Sequence, residues 1–548
     1  LPDSFGPHTT GPIHRSESAL AMNYDQPYPS RRVPVLARNV VATSQPLAAQ
    51  AGLRMLLAGG NAVDAALAAA IALTVVEPTG NGLGSDAFAI LWDGQSLHGL
   101  NASGRSPAAW SPTRFTGRPA MPQTGWDSVT VPGAVSAWVA LSRRFGRLPF
   151  ADLFAPAIAY AERGFAVSPT IAAAWAYGAA RLAGEPGFAA TFLPGGRPPR
   201  AGELFRNPDL AASLRAIADT EGEAFYRGDL ARRIAADAAR HGAALTEGDL
   251  AAHAPDWCGT ISKGFNGHTI HEIPPNGQGI AALAALGLLA HTDAARRDPD
   301  DPVSLHLQIE AMKLALADAD RFVADPAHMD TPPAALLNDA YLAARAALID
   351  PARAQVAEAG APRAGGTVYL AAADESGMMV SFIQSNYMGF GSGVVVPGTG
   401  IALQNRGAGF TLQPGHPNEV GPRKRPFHTI IPGFAMKDGA PEMSFGVMGG
   451  PMQAQGHVQM VMRCLIAGQN PQAASDAPRW RFISGQTVAM ETAMPEATRA
   501  ALAAMGHEIV LEPPDTAFGM GGAQLIRRTP EGYVAGSDHR KDGCAAGF

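Results

Sequence analysis

The sequence predicts a mixed helix-and-strand (α+β) protein, and three observations point that way. Alanine-rich stretches with apolar residues three and four apart run through much of the chain before residue 353. Short apolar runs separated by Gly- and Asp-containing turns dominate after residue 367. Apolar residues make up 47% of the 548 and charged residues only 16%, which supplies a large core and is too apolar for a disordered chain.

Leu1 to Arg32 is polar and lacks the apolar run of an export signal, so residues 1–40 read as an N-terminal extension, with Met22 a plausible native start. Ser44 to Val76 reads as two helices broken at Gly59-Gly60-Asn61, the second rich in small residues that permit close packing. Ala87 to Trp92 and Ser96 to Leu100 read as strands around Asp93-Gly94. Val135 to about Arg353 is mainly helical. A shift in composition at Arg363-Ala364-Gly365-Gly366 marks the best internal boundary. Beyond it, Thr367 to Ala373, Met378 to Gln384 and Gly393 to Val396 read as strands, and Gln453 to Ala467 and Glu496 to Ala504 as helices.

Several functions are excluded or disfavoured. Forty-two Lys and Arg against 48 Asp and Glu leave a formal charge of −6, without the basic excess of a nucleic-acid surface. The most apolar stretch, Ala62 to Val76, carries Asp64 and falls short of the ~18 residues of a membrane span. Cys258, Cys464 and Cys544 are odd in number and form no CxxC, which argues against a disulfide framework or a zinc ribbon and fits a cytoplasmic protein. His268 and His271 would face opposite sides of a strand, so no metal site and no cofactor are expected there or elsewhere. The glycine loops at 80–84 and 389–393 lack the strand–GxGxxG–helix setting of a phosphate cradle and read as turns.

Gly365-Gly366-Thr367 offers two readings. It is an ordinary turn entering a strand, or a self-cleavage point. In the second reading the Thr367 hydroxyl attacks the Gly366 carbonyl. The freed α-amine then serves as base for its own hydroxyl.

The surrounding segments favour the second reading. Gly59 to Ala66 (GGNAVDAA), Val131-Pro132-Gly133, Ala224 to Gly228 (AFYRG) and Glu310 to Lys313 (EAMK) occur in order. They are followed by Gly391-Ser392-Gly393, Pro422 to Pro426 (PRKRP), Gly449-Gly450, Asp476 to Arg479 (DAPR) and Asp538-His539-Arg540. This ordered set resembles the γ-glutamyltransferase family of N-terminal nucleophile hydrolases, from about Val41 to Phe548. The resemblance implies a four-layer αββα sandwich. It also implies a precursor cut between Gly366 and Thr367 into a large (41–366) and a small (367–548) subunit, with a dimer of such pairs one assembly it allows. Asp374 and Gly377 follow Thr367 at family spacing. Gly449 and Gly450 fall where the family's oxyanion amides lie, and Ser385 near a Thr that hydrogen-bonds the nucleophile.

The departures from the family concern specificity. Ser103 stands where an Arg holds the γ-glutamyl carboxylate, with Arg105 two positions away. His428 and Thr429 replace two adjacent serines. Tyr387 replaces an Asn, Gly409 the acidic partner of the substrate ammonium, and Arg406 a neighbouring Gln; Val368 and Tyr369 follow the nucleophile in place of Thr and His. The pocket is therefore expected to lose its grip on an amino group and gain a cation suited to a carboxylate. This pattern resembles the cytoplasmic γ-glutamyltransferase-like branch, to which oxamate amidohydrolases belong. The expected activity is Thr-dependent hydrolysis of a small carboxylate-bearing amide. The alternatives are a γ-glutamyl hydrolase or transferase, a glutaryl-type acylase, and an unprocessed binding homologue.

Overall fold

The computed structural model describes residues 31–356, 366–513 and 519–548. Met22, most of the expected extension and the boundary residues Arg363 to Gly365 lie outside the described residues. Two seven-stranded, largely antiparallel sheets organise the rest. The first runs Cys544–Gly547, Val40–Thr43, Gly366–Ala373, Met379–Tyr387, Asp86–Trp92, Leu97–Asn101 and Asp256–Trp257. The second runs Val35–Ala37, Gly532–Ser537, Ala523–Thr529, Ala440–Val447, Gly433–Lys437, His268–Glu272 and Ile261–Phe265.

Strands on both sides of the 366/367 boundary are neighbours in each sheet, so the expected large and small subunits divide the chain and not the fold. The alternation of side chains explains how the sheets meet. Phe88, Ile90, Tyr369, Ala371 and Ile383 of the first sheet share one buried core with Phe434, Ile526 and Ala535 of the second. Tyr369 occupies the space left by Gly446 opposite, where any Cβ would come within 2.4 Å of its ring. Its hydroxyl pairs with Ser381 Oγ at 2.7 Å, which satisfies the buried phenol.

Helices cover the outer faces. The Ala62–Val76 helix is buried along its whole length against the first sheet, and its small side chains let it approach closely. Its start explains the GGNAVDAA segment: Asn61 and Asp64 form a reciprocal capping box. The Asp374 carboxylate, at the far end of the strand that begins with Gly366 and Thr367, accepts from Ala62 N at 2.7 Å. On the second sheet lie Gly279–Leu289 and Met452–Val461. The expected helix at 453–467 is therefore two pieces, an α-helix that passes into a π-turn at Met462–Ile466. The expected helical run to Arg353 likewise contains the Ile261–Phe265 and His268–Glu272 strands that complete the second sheet.

DAPR and DHR, far apart in sequence, meet in a buried ion network. Arg479 donates to Asp538 at 2.5 Å, and Arg540 pairs with Asp538 and Glu491. Among the described residues no helix is long and apolar enough to cross a membrane.

Candidate active site

Thr367 lies second in its strand and is 2% exposed. The pairing with Met379–Tyr387 is irregular here: Gly366 faces Tyr387 and Val368 faces Gln384, so Ser385 and Asn386 together oppose the single Thr367. Such a bulge re-aims side chains. It brings Ser385 Oγ to 3.3 Å from Thr367 Oγ1, which donates to it. Ser385 Oγ also accepts from the Tyr387 amide at 2.7 Å. Tyr387 itself sits at φ 76°, an unusual conformation for a bulky residue and one that clusters at functional sites.

The Ala440–Val447 strand ends against the same spot. Gly449 and Gly450, at φ 114° and 60°, turn the chain into the Met452–Val461 helix. Their carbonyls accept from Met452 N and Gln453 N, both at 3.1 Å, and so close the first helical turn. Among the described residues neither glycine amide N–H has a hydrogen-bond partner. Two unpaired donors at the positive end of a helix are suited to an oxyanion. Gln453, in the first turn, donates through Nε2 to Thr367 Oγ1 at 3.3 Å, a contact that no motif in the sequence signals.

Arg406 is fully buried. Its Nη1 donates to Thr429 Oγ1 at 2.9 Å, and its Cζ lies 4.6 Å from the centroid of the Tyr387 ring. Among the described residues Nε and Nη2 have no hydrogen-bond partner, and no carboxylate lies within 4.0 Å of its nitrogens. Burial brings the guanidinium down to about 10, against the opposing pull of Asp86 and Tyr387. Gln278 ties this group to the glycine pair, donating to the carbonyls of Thr429 at 2.6 Å and Gly450 at 2.9 Å.

Asp86, another residue missed in the sequence, is fully buried beside the cluster. Burial raises its carboxyl to about 7, while Arg406 and the Gly104 amide act to lower it. His428 reaches it through Nε2 at 3.2 Å, and His428 Nδ1 accepts from Ile430 N at 3.3 Å. Those two contacts fix a neutral ring with the proton on Nε2, in keeping with a pKa that burial and two nearby arginines hold well below its usual value. Both nitrogens of His428 are thus engaged by protein.

The remaining expected residues lie to either side. Ser103 is buried and bonded to Asn101 Oδ1 at 2.7 Å, and its carbonyl accepts from Arg425. Arg105 does not substitute for the missing arginine. Its Nη1 is 2.8 Å from Asp325 and also donates to the Arg423 carbonyl. Gly409 admits no side chain, since a Cβ there would sit 2.6 Å from the Phe427 carbonyl oxygen. A cavity of about 370 Å³ opens in front, walled by Tyr387, Thr429, Gln278, Pro451 and the apolar Met121 and Phe410.

His268 and His271 diverge as their alternation requires, the first to Glu442 at 2.6 Å and the second to Thr260 at 3.0 Å. The expectation that no ligand cluster exists needs correction, because His306, Glu310 and His507 bring their donor atoms within 4.8 Å of one another. Those atoms are already occupied: the two rings bond each other at 2.8 Å, and the Lys313 ammonium sits 2.6 Å from Glu310. A second cation there would meet that ammonium, so the cluster fits a hydrogen-bonded core better than a metal centre.

Two facing sheets, with a Thr hydroxyl at the start of a central strand in hydrogen-bond reach of the helix that follows Gly449 and Gly450, are the setting of a hydrolase of the N-terminal nucleophile type. The chain belongs to the γ-glutamyltranspeptidase family, whose description matches residues 48–548. It is 36% identical over 526 residues to a glutathione hydrolase-like YwrD proenzyme of Bacillus subtilis, covering 93% of this chain and 98% of that protein. It is 38% identical over 516 residues to an oxamate amidohydrolase proenzyme of Klebsiella pneumoniae, covering 92% and 97%. Among solved structures, a cephalosporin acylase from Bacillus halodurans superposes with a TM-score of 0.91 at 48% identity, covering 96% of this chain and 99% of that one.

Proposed function

We propose that this enzyme is a self-processing Thr amidohydrolase whose substrate carries a carboxylate close to the scissile amide. The observation that carries the reading is Arg406, a buried guanidinium with two unpaired donor nitrogens beside the Thr429–Gln278–Gly450 chain. A buried cation left so calls for an anionic partner. Gly409, where a Cβ would press on the Phe427 carbonyl, supplies no carboxylate for the ammonium of a γ-glutamyl donor. A relative named oxamate amidohydrolase supports the same substrate class.

In this mechanism Thr367 Oγ first attacks the Gly366 carbonyl carbon. The C–N bond breaks, the amide nitrogen takes the proton, and water hydrolyses the ester. The freed amine then takes the Oγ proton in each turnover as Oγ attacks the substrate amide. The Gly449 and Gly450 amides hold the oxyanion, each worth roughly 3 kcal/mol in the transition state. Ammonia or an amine leaves with a proton, and water releases the acid. The shared inter-sheet core with helices outside it supports the four-layer αββα arrangement. Three unbridged cysteines favour a cytoplasmic setting.

The cavity favours a second reading, an acylase for a larger amide. Its 370 Å³ far exceeds a two-carbon substrate and lies in the range of roughly 300–1,000 Å³ that holds drug-sized ligands. Assays of fully cleaved protein on oxamate, glutamine, a γ-glutamyl anilide and a glutaryl amide separate the readings. Turnover of oxamate fastest supports the first and of the glutaryl amide the second, whereas a preference for the γ-glutamyl anilide overturns both.

A further inference from the structure

We propose that Gln453 is a further catalytic residue, whose side-chain N–H stabilises negative charge on Thr367 Oγ both in self-cleavage and in turnover. The inference rests on Thr367 being the nucleophile and adds a group that the reaction outlined above does not use. Gln453 is wholly buried, and its amide orientation is fixed from both ends. Oε1 accepts from the Ile431 amide at 3.0 Å, so the NH₂ group must face Thr367, where Nε2 lies 3.3 Å from Oγ1. The nucleophile oxygen thus stands between two partners with distinct parts. It donates its proton toward Ser385 Oγ and accepts from Gln453.

The chemistry follows from that division. As Oγ gives up its proton and attacks, its negative charge grows, and a donor already aimed at it bonds more strongly. Once Oγ has become an ester oxygen it is a poor acceptor, and the bond weakens. The interaction is therefore greatest near the transition state, the condition for raising rate rather than merely binding. Gln453 exchanges no proton and forms no covalent bond. The proton passes to the Thr367 nitrogen in either reaction. The setting reinforces the effect, because Gln453 stands in the first turn of the helix that begins after Gly449 and Gly450. One rigid element therefore presents the oxyanion amides and the donor to Oγ together.

Two full-length variants test this. Gln453→Glu retains the acceptor for Ile431 and the side-chain shape but replaces the donor with a charge that repels an alkoxide. Gln453→Met removes both hydrogen bonds without burying a charge, and it decides the matter should the Glu variant fail to fold. Self-cleavage needs no substrate, so its first-order rate is read by intact mass as the 367–548 fragment appears, with Thr367→Ala as control. The expected result is a roughly 10- to 100-fold slower cleavage in protein that remains folded, with the thermal midpoint several degrees lower where Gln453→Met leaves the Ile431 N–H without its acceptor. Cleaved protein should show a similar fall in kcat on oxamate with KM unchanged. Wild-type rates in both variants, or a loss seen only as raised KM or lowered thermal midpoint, overturn the role of Gln453 while leaving Thr367 in place. A Thr367→Ala protein that still splits after Gly366 overturns the nucleophile itself, and this inference with it.

Discussion

The Arg406 guanidinium lies face-on to the ring of Tyr387, its Cζ 4.6 Å from the centroid, and the same ring forms part of the cavity wall. On the proposed reading, a substrate carboxylate entering from the cavity would meet Tyr387 and Thr429 first and the cation behind them. Cation–π contact with that ring is worth on the order of 2 kcal/mol when desolvated. On the proposed reading, a substrate carboxylate would take the two guanidinium nitrogens that lack a hydrogen-bond partner among the described residues.

Arg406→Gln tests that role. The variant should cleave itself at the wild-type rate, because processing binds no carboxylate. Its kcat/KM on carboxylate-bearing amides should fall by roughly 10- to 100-fold, the worth of hydrogen bonds to a charged group. Steady-state kinetics on fully cleaved protein give the answer, and an unchanged kcat/KM removes Arg406 from the site.

Gly409→Asp would restore the acidic residue expected of γ-glutamyl enzymes, yet the new Cβ would press to 2.6 Å of the Phe427 carbonyl. Forcing a side chain into packed backbone costs roughly 1–3 kcal/mol. The variant should melt several degrees lower and gain no activity on a γ-glutamyl anilide. Thermal melts and that single assay check both halves.

Asp86 sets a pH dependence whose sign is fixed. Its carboxyl keeps its proton to about pH 7 in the folded chain, against 3.8 when unfolded, with burial the leading cause and Arg406 opposing it. Between those values the folded state binds more protons, so this residue makes stability fall as pH rises and adds no further slope above about 7. Asp86→Asn, which keeps an acceptor for the His428 Nε2 proton, should flatten the change in urea midpoint between pH 5 and pH 8. An equal change in both proteins would deny Asp86 that titration.

The sequence displayed what local chemistry encodes. The 496–504 helix follows from its own periodicity and lies where expected. GGNAVDAA is legible as a helix start because Asn and Asp three apart form a capping box wherever they occur. Thr367 and the two glycines are legible through resemblance, as positions in an ordered set of segments. Gln453 and Asp86 were not, for a physical reason: each acts through a partner hundreds or scores of residues away, and only the meeting of the sheets creates the contact. His428 shows the converse. Its place in the sequence suggested a substrate contact, but Ile430 and Asp86 take both ring nitrogens. Arg105 was open to a carboxylate role only until Asp325, over two hundred residues on, is seen to hold it.

The most direct test of the central claim is the intact mass of purified full-length protein, wild type beside Thr367→Ala, under denaturing conditions. Wild type should resolve into two chains, the smaller being residues 367–548 with Thr367 as its free N-terminus, and Thr367→Ala should remain a single chain without amidase activity. A wild-type protein that hydrolyses amides as one unbroken chain, or a Thr367→Ala protein that still divides after Gly366, would contradict that claim.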